Sequence, residues 1–167
     1  PQALEQALQD IAQESERAAR VIGSVRALAR KRVPERRPVA PLVLAQQALD
    51  LLRCGQHAEI QLHSACGAEH WRVQGDAQQL LQVLLNLLQN ARDVHRQCGC
   101  EGQAIALEIA TEDGQLALAV RDHGPPLSLE AQALLFTPFH TTKPDGLGLG
   151  LSISRSIAEA HGGALRA

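Results

Sequence analysis

The stretch FTPFHTTKPDGLGLGLSIS, residues 136–154, decides how the rest of the chain is read. Glycines at 146, 148 and 150 let the backbone approach a ligand closely and take positive φ, so that main-chain N–H groups can surround phosphate oxygens. From about residue 149 to 161 the spacing is helical and Gly162-Gly163 follows, which aims the positive end of a helix dipole back at the same anion. Lys143, three residues before Gly146, adds a mobile cation. No strand immediately precedes this loop and no Gly-Lys-Ser/Thr follows it, so it is neither a dinucleotide fingerprint nor a P-loop. A Gly-x-Gly-x-Gly run is common by chance, and its meaning depends on the segments upstream.

Working backwards, residues 122–150 loosen into Gly, Pro and Thr, and a loop of that length is normally functional. Before it, residues 104–111 and 115–121 alternate in polarity and are joined by Glu112-Asp113-Gly114, which predicts an antiparallel hairpin. Asp122-His123-Gly124 closes the second of these strands. A carboxylate there, an acceptor only, can take a hydrogen bond from the exocyclic amine of adenine and would reject the carbonyl of guanine. The same three residues could simply be a turn.

Earlier still, a long helix is predicted over residues 77–96, with Asp76 and Gln79 spaced as a capping box. Its stretch LLQVLLNLLQNARD puts Asn86, Asn90 and Asp93 on one face while leucines cover the other. An Asn carboxamide oxygen is a hard neutral ligand suited to Mg2+, although two asparagines can also be no more than the wet face of an amphipathic helix. A short helix over 42–52 and strands over 59–63 and 71–73 complete the pattern.

At the N-terminal end, Leu4, Leu8, Ile11, Ser15, Ala18, Ile22, Val25 and Ala29 are spaced alternately four and three, a heptad seam that needs a partner helix. Arg26, Arg30, Lys31, Arg32, Arg36 and Arg37 then read as a solvated helix end opposing the dipole. Pro34, Pro38 and Pro41 mark a boundary, dividing the chain into residues 1–33 and 34–167.

Composition narrows the class. Sixteen Lys and Arg against 18 Asp and Glu, well mixed, leave a net charge of -2 and no basic surface for a nucleic acid. No apolar run reaches the roughly 18 residues needed to cross a bilayer, so a membrane enters only through regions outside this chain. Cys54, Cys66, Cys98 and Cys100 do not form C-x-x-C units, and only His95 lies near the last two, which reads as unpaired thiols in a reducing cytoplasm and not as zinc ligands. A chain of 167 residues that starts at Pro1, lacks Met and stops at Ala167 soon after a helical run reads as a piece of a longer protein.

In this order and spacing, the stretches around Asn86/Asn90, Asp122-His123-Gly124, Phe136–Lys143 and Gly146–Ser152 resemble the N, G1, F and G2 boxes of sensor histidine kinases, within the wider GHKL ATPase superfamily. TTKPDGLGLGLSISRSIAEAHGG is especially similar to nitrogen-regulation and dicarboxylate-sensing members. The resemblance covers nearly the whole chain, with residues 1–33 matching the second helix of the dimerisation and phosphotransfer hairpin. It implies an α+β fold of the Bergerat type, a two-layer sandwich of a mixed sheet against three helices, preceded by a long coiled-coil helix. It implies ATP and Mg2+ as cofactors, with Asn90 as metal ligand, Asn86 on the phosphate side, Asp122 reading adenine and Gly124 admitting the base. Residues 125–147 would form a lid; Thr142, Lys143, Gly146 and the amides of Gly148, Leu149, Gly150 and Leu151 would reach the phosphates, with Arg92, Asp93 and His140 as further candidates. The implied reaction transfers the γ-phosphoryl of ATP to a histidine and onward to a response regulator receiver domain, in a homodimer.

Two features depart from the family. Its G1 pattern ends in a second Gly where this chain has Pro126, after Pro125. Its phosphoacceptor is a His followed by an acidic residue, and none of His57, His63, His70, His95, His123, His140 or His161 has that context. These residues alone are expected to bind nucleotide without acquiring stable phosphohistidine. An ATP-hydrolysing relative is an alternative, but it would carry a Glu general base where this chain has Asn86. A serine kinase of the anti-sigma type is disfavoured by the heptad helix, and a degenerate dimerisation module would bind no nucleotide.

Overall fold

The computed structural model describes residue 4 and residues 35–52, 59–100, 102–112, 114–143 and 146–167. The heptad helix, most of the basic cluster and Cys54 lie outside the described residues.

The longest apolar pattern builds the central helix, Ala77–Cys98 (α2). Leu84, Leu88 and Ala91 recur at i, i+4 and i+7 and are buried, as helical periodicity requires of a core-facing stripe. Asp76 caps its start, Oδ1 accepting from the N–H groups of Gln78 and Gln79 at 3.0 and 3.2 Å. The return half of the expected capping box is replaced: the Asp76 N–H donates instead to His161 Nε2 at 2.9 Å. The helix ends at Gly99, whose left-handed φ of 69° returns its N–H to the His95 carbonyl.

Strands Ile60–Ser64 (β2), Ile105–Glu112 (β4) and Gln115–Arg121 (β5) form one mixed sheet in the order β2-β4-β5, with β2 parallel and β5 antiparallel to β4. Period-two alternation on β4 buries Ile105, Leu107 and Ile109 on one face. The β4–β5 register places Glu112 opposite Gln115, with Gly114 between them at φ 76°. Arg37–Val39 (β1) and Val73–Gly75 (β3) form a separate antiparallel ladder. The proline reading gave no strand at β1. Pro38 is tolerated because β1 pairs on one side only among the described residues, so the donor it lacks faces no neighbour. β3 begins two residues later than the alternation at 71–73 suggests.

Three helices cover the sheet. Pro41–Leu52 (α1) opens on a proline at its first turn and buries Leu44, Ala45, Ala48 and Leu49 against α2 and the sheet. Gly150–Ala160 (α4) packs along α2, buries Ile153 and Ser154, and starts and ends next to residues of α2 or its cap. In the region expected to be loop, Leu129–Leu134 (α3) forms a short helix capped by Ser128, and none of its residues is buried. Arg36, assigned above to the end of the heptad helix, instead donates to the Ala160 carbonyl at the C-terminus of α4.

The cysteines also differ from expectation. Cys98 and Cys100 are joined by a disulfide, because the left-handed Gly99 between them turns the chain until their Cα atoms stand 5.4 Å apart. Cys66 is a free, exposed thiol.

Candidate nucleotide-binding site

The polar face of α2 meets the glycine-rich segment. Asn86 Nδ2 donates to the Gly150 carbonyl at 3.3 Å and to Ser154 Oγ at 3.2 Å, tying α2 to the first turn of α4. Asn86, expected on the phosphate side, therefore holds the N-terminal end of α4 against α2 through its amide nitrogen. One turn further along α2, Asn90 Oδ1 and Asp93 Oδ2 both accept from Lys143 Nζ, at 2.9 and 2.6 Å. Lys143 comes from the segment expected to form a lid, 50 residues from Asp93 in sequence, and the ion pair is largely sheltered, with side chains 27% and 19% exposed. Two oxygens converging on one ammonium make a cation-holding pair, and hard oxygen donors of this kind also fit Mg2+.

The first N–H groups of α4 have no side-chain cap among the described residues. Leu149 fills the core with its side chain, Leu151 is half-buried, and the backbone of both is left at the helix mouth. Four uncapped N–H groups at a positive dipole end form an anion seat. Gly148 is required for this course: it sits at φ 65°, and a Cβ would come within 2.5 to 2.7 Å of the His140 backbone. Its carbonyl accepts from Phe139 N–H at 3.0 Å, and Phe139 itself holds a positive φ of 63°. Gly146 is similarly tight, since a Cβ would lie 2.6 Å from Thr141 Oγ1. Thr142 and His140 are exposed on the same turn. Arg92 is the candidate that geometry takes elsewhere: its Nη1 donates to the Leu52 carbonyl at the end of α1.

At the end of β5, the exposed Asp122 accepts from the Gly124 N–H on Oδ1 at 2.7 Å, and its second carboxylate oxygen is a further acceptor. Gly124 is needed for packing against α2, because a Cβ would stand 2.2 Å from Val94 Cγ1. Sequence reasoning weighed His95 only as a zinc ligand or phosphoacceptor and set it aside; it is fully buried on the leucine face of α2, and its Nε2 accepts from the His123 N–H at 3.1 Å. The signal was a histidine four residues after Ala91, in register with the apolar stripe.

A family described as "Histidine kinase-, DNA gyrase B-, and HSP90-like ATPase" matches residues 75–167, which include every element of this site. The chain belongs to this ATPase family. Within the ATPase family its relatives are sensor histidine kinases, as the four boxes implied. It is 34% identical to "Sensor histidine kinase TmoS" of Ectopseudomonas mendocina over 95% of this chain and 16% of that protein. It is 36% identical to "C4-dicarboxylate transport sensor protein DctB" of Rhizobium meliloti over 95% of this chain and 25% of that protein. The chain thus spans a quarter or less of the length of these two curated relatives. Among solved ATPase-family structures, "Mycobacterial sensor histidine kinase MprB" superposes with a TM-score of 0.67 at 28% identity, covering 78% of this chain and 83% of that one. No helix among the described residues is long and apolar enough to cross a membrane.

Proposed function

We propose that this chain is the nucleotide-binding, phosphoryl-donating part of a sensor histidine kinase, with ATP and Mg2+ seated between α2, the lid and the mouth of α4. The observation that supports this most strongly is the convergence of lid Lys143 on Asn90 and Asp93, beside a helix start that Asn86 holds open. Mg2+, when bound, would neutralise phosphate charge and be held by Asn90, with Asp93 close by. Lys143 is the cation that a triphosphate would draw from α2 onto its own oxygens. The amides from Gly148 to Leu151 would take the phosphate oxygens, and Asp122 Oδ2 the adenine amine. Phosphoryl transfer asks little covalent chemistry of the protein, so positioning and charge compensation by these groups are the chain's contribution. The acceptor would be a histidine on the dimerisation hairpin of a homodimer, to which residues 1–33 would contribute one helix, residues 34–167 being the catalytic domain. A response regulator receiver domain would then take the phosphoryl group.

Hydrolysis is the weaker reading. The position from which relatives activate water holds Asn86, whose amide has no useful basicity and is already bonded to Gly150 and Ser154. The test is calorimetric binding combined with unfolding. MgATP at 100 times its dissociation constant should stabilise the chain by about 2.7 kcal/mol. Asp122→Ala should lower MgATP affinity by roughly tenfold or more while leaving MgGTP unaffected. No stabilisation by MgATP would reduce the chain to a dimerisation module, and steady phosphate release would favour the hydrolytic alternative.

A further inference from the structure

The apolar stripe of α2 runs through Leu84, Leu88 and Ala91 and should continue with another aliphatic residue, yet the next position is His95, with no exposed surface. Among the described residues its ring bonds to one group: Nε2 accepts from the His123 backbone N–H. An imidazole nitrogen that accepts must carry a lone pair, so the ring is neutral with its proton on Nδ1. Nδ1 is buried and has no partner among the described residues. A leucine would fill the stripe without burying an unpaired N–H, so packing alone does not account for this side chain. The backbone that carries the ring is itself fixed, because the His95 carbonyl receives the N–H groups of Gly99 and, at 3.0 Å, Cys100 as the helix closes.

The N–H that His95 receives belongs to the middle residue of the turn carrying Asp122. Among the described residues that turn is held by His123 N–H on His95, Gly124 N–H on Asp122 Oδ1 and the close approach of Gly124 to Val94, and Cys100 Sγ lies 3.6 Å from the His123 carbonyl. Only the first reaches from the core of α2 to the turn by a directed bond. Without it, the His123 peptide can rotate, and the direction of Asp122 Oδ2 rotates with it.

We propose that His95 is the positioning residue of the adenine-reading turn: its neutral imidazole fixes the His123 peptide and so sets the carboxylate direction on which preference for adenine over guanine depends. The inference rests on the reading of Asp122 given above. The substitution His95→Leu keeps the stripe apolar and removes the acceptor, whereas His95→Gln retains an amide oxygen at about the same reach.

The experiment measures dissociation constants of the full chain for MgATP, MgGTP and magnesium tripolyphosphate. His95→Leu is expected to weaken MgATP about tenfold, with MgGTP and tripolyphosphate unchanged, and His95→Gln to stay within about threefold of the wild type. Equal loss for all three ligands, or an unchanged ratio of ATP to GTP in His95→Leu, overturns the proposal. A wild type that itself shows no preference for ATP over GTP overturns the Asp122 reading and this inference with it, an outcome visible before any variant is made. If His95→Leu fails to fold, imidazole 15N spectra of the wild type decide: an unprotonated, hydrogen-bonded Nε2 coupled to the His123 amide supports the role, and a proton on Nε2 overturns it.

Discussion

The core around α2 and β4 and the segment proposed as the lid, residues 125–147, draw on the same kinds of residue, yet they use them in opposite ways. In the core, leucine and isoleucine at periods of 3.6 and 2 are buried, and position follows from burial. In the lid, Leu129 is 84% exposed and Phe139 72% exposed, and position follows from turns, glycines and one lysine. Apolar content therefore does not distinguish the two regions. The difference lies in whether side chains or backbone amides fix the chain, and it predicts different failures for the two.

The largest effect should follow Leu88→Ala. A fully buried leucine at the centre of the cluster is lost, and unfolding in urea should show a destabilisation of about 2–5 kcal/mol, with MgATP affinity of the folded fraction unchanged. Gly148→Ala should do the reverse. It forces a Cβ into the His140 backbone at a positive φ, so MgATP affinity should fall by about tenfold while global stability moves by less than about 1 kcal/mol. An equal loss of stability in the two variants would show that lid and core unfold as one unit. The smallest effect belongs to Lys143→Ala, which removes the bridge from lid to α2: several-fold weaker MgATP binding and faster proteolytic cleavage within residues 125–147 are expected, with an unfolding midpoint nearly unchanged. Unaltered cleavage kinetics would mean that the bridge does not hold the lid.

The same contrast explains what could be read from the sequence. The β4–β5 hairpin was legible because alternation and the Asp-Gly turn are local signals, and α2 because a cap, a stripe and a terminal glycine agree. β1 was not, since only pairing with β3, Arg37 opposite Gly75, turns a proline-centred tripeptide into a strand. α3 is six residues long and buries nothing, so no periodicity announces it. The disulfide depends on the left-handed turn at Gly99, which spacing does not reveal. Among site residues the types were legible and the partners were not: that Asn86 would serve α4, that Arg92 would turn to Leu52, and that Lys143 would reach across to Asp93 are all tertiary facts.

His161 sits at the far end of α4, taking the Asp76 N–H on Nε2 and bonding to the Ile157 carbonyl through Nδ1. Together with the Asn86 contacts some ten residues along, it rivets α4 at both ends to the first half of α2. These bonds fix the mouth of α4 against α2 and use no residue of the covering flap, residues 125–147. Opening and closing of that flap would leave the phosphate berth where it was, and each incoming triphosphate would find a seat that needs no rebuilding.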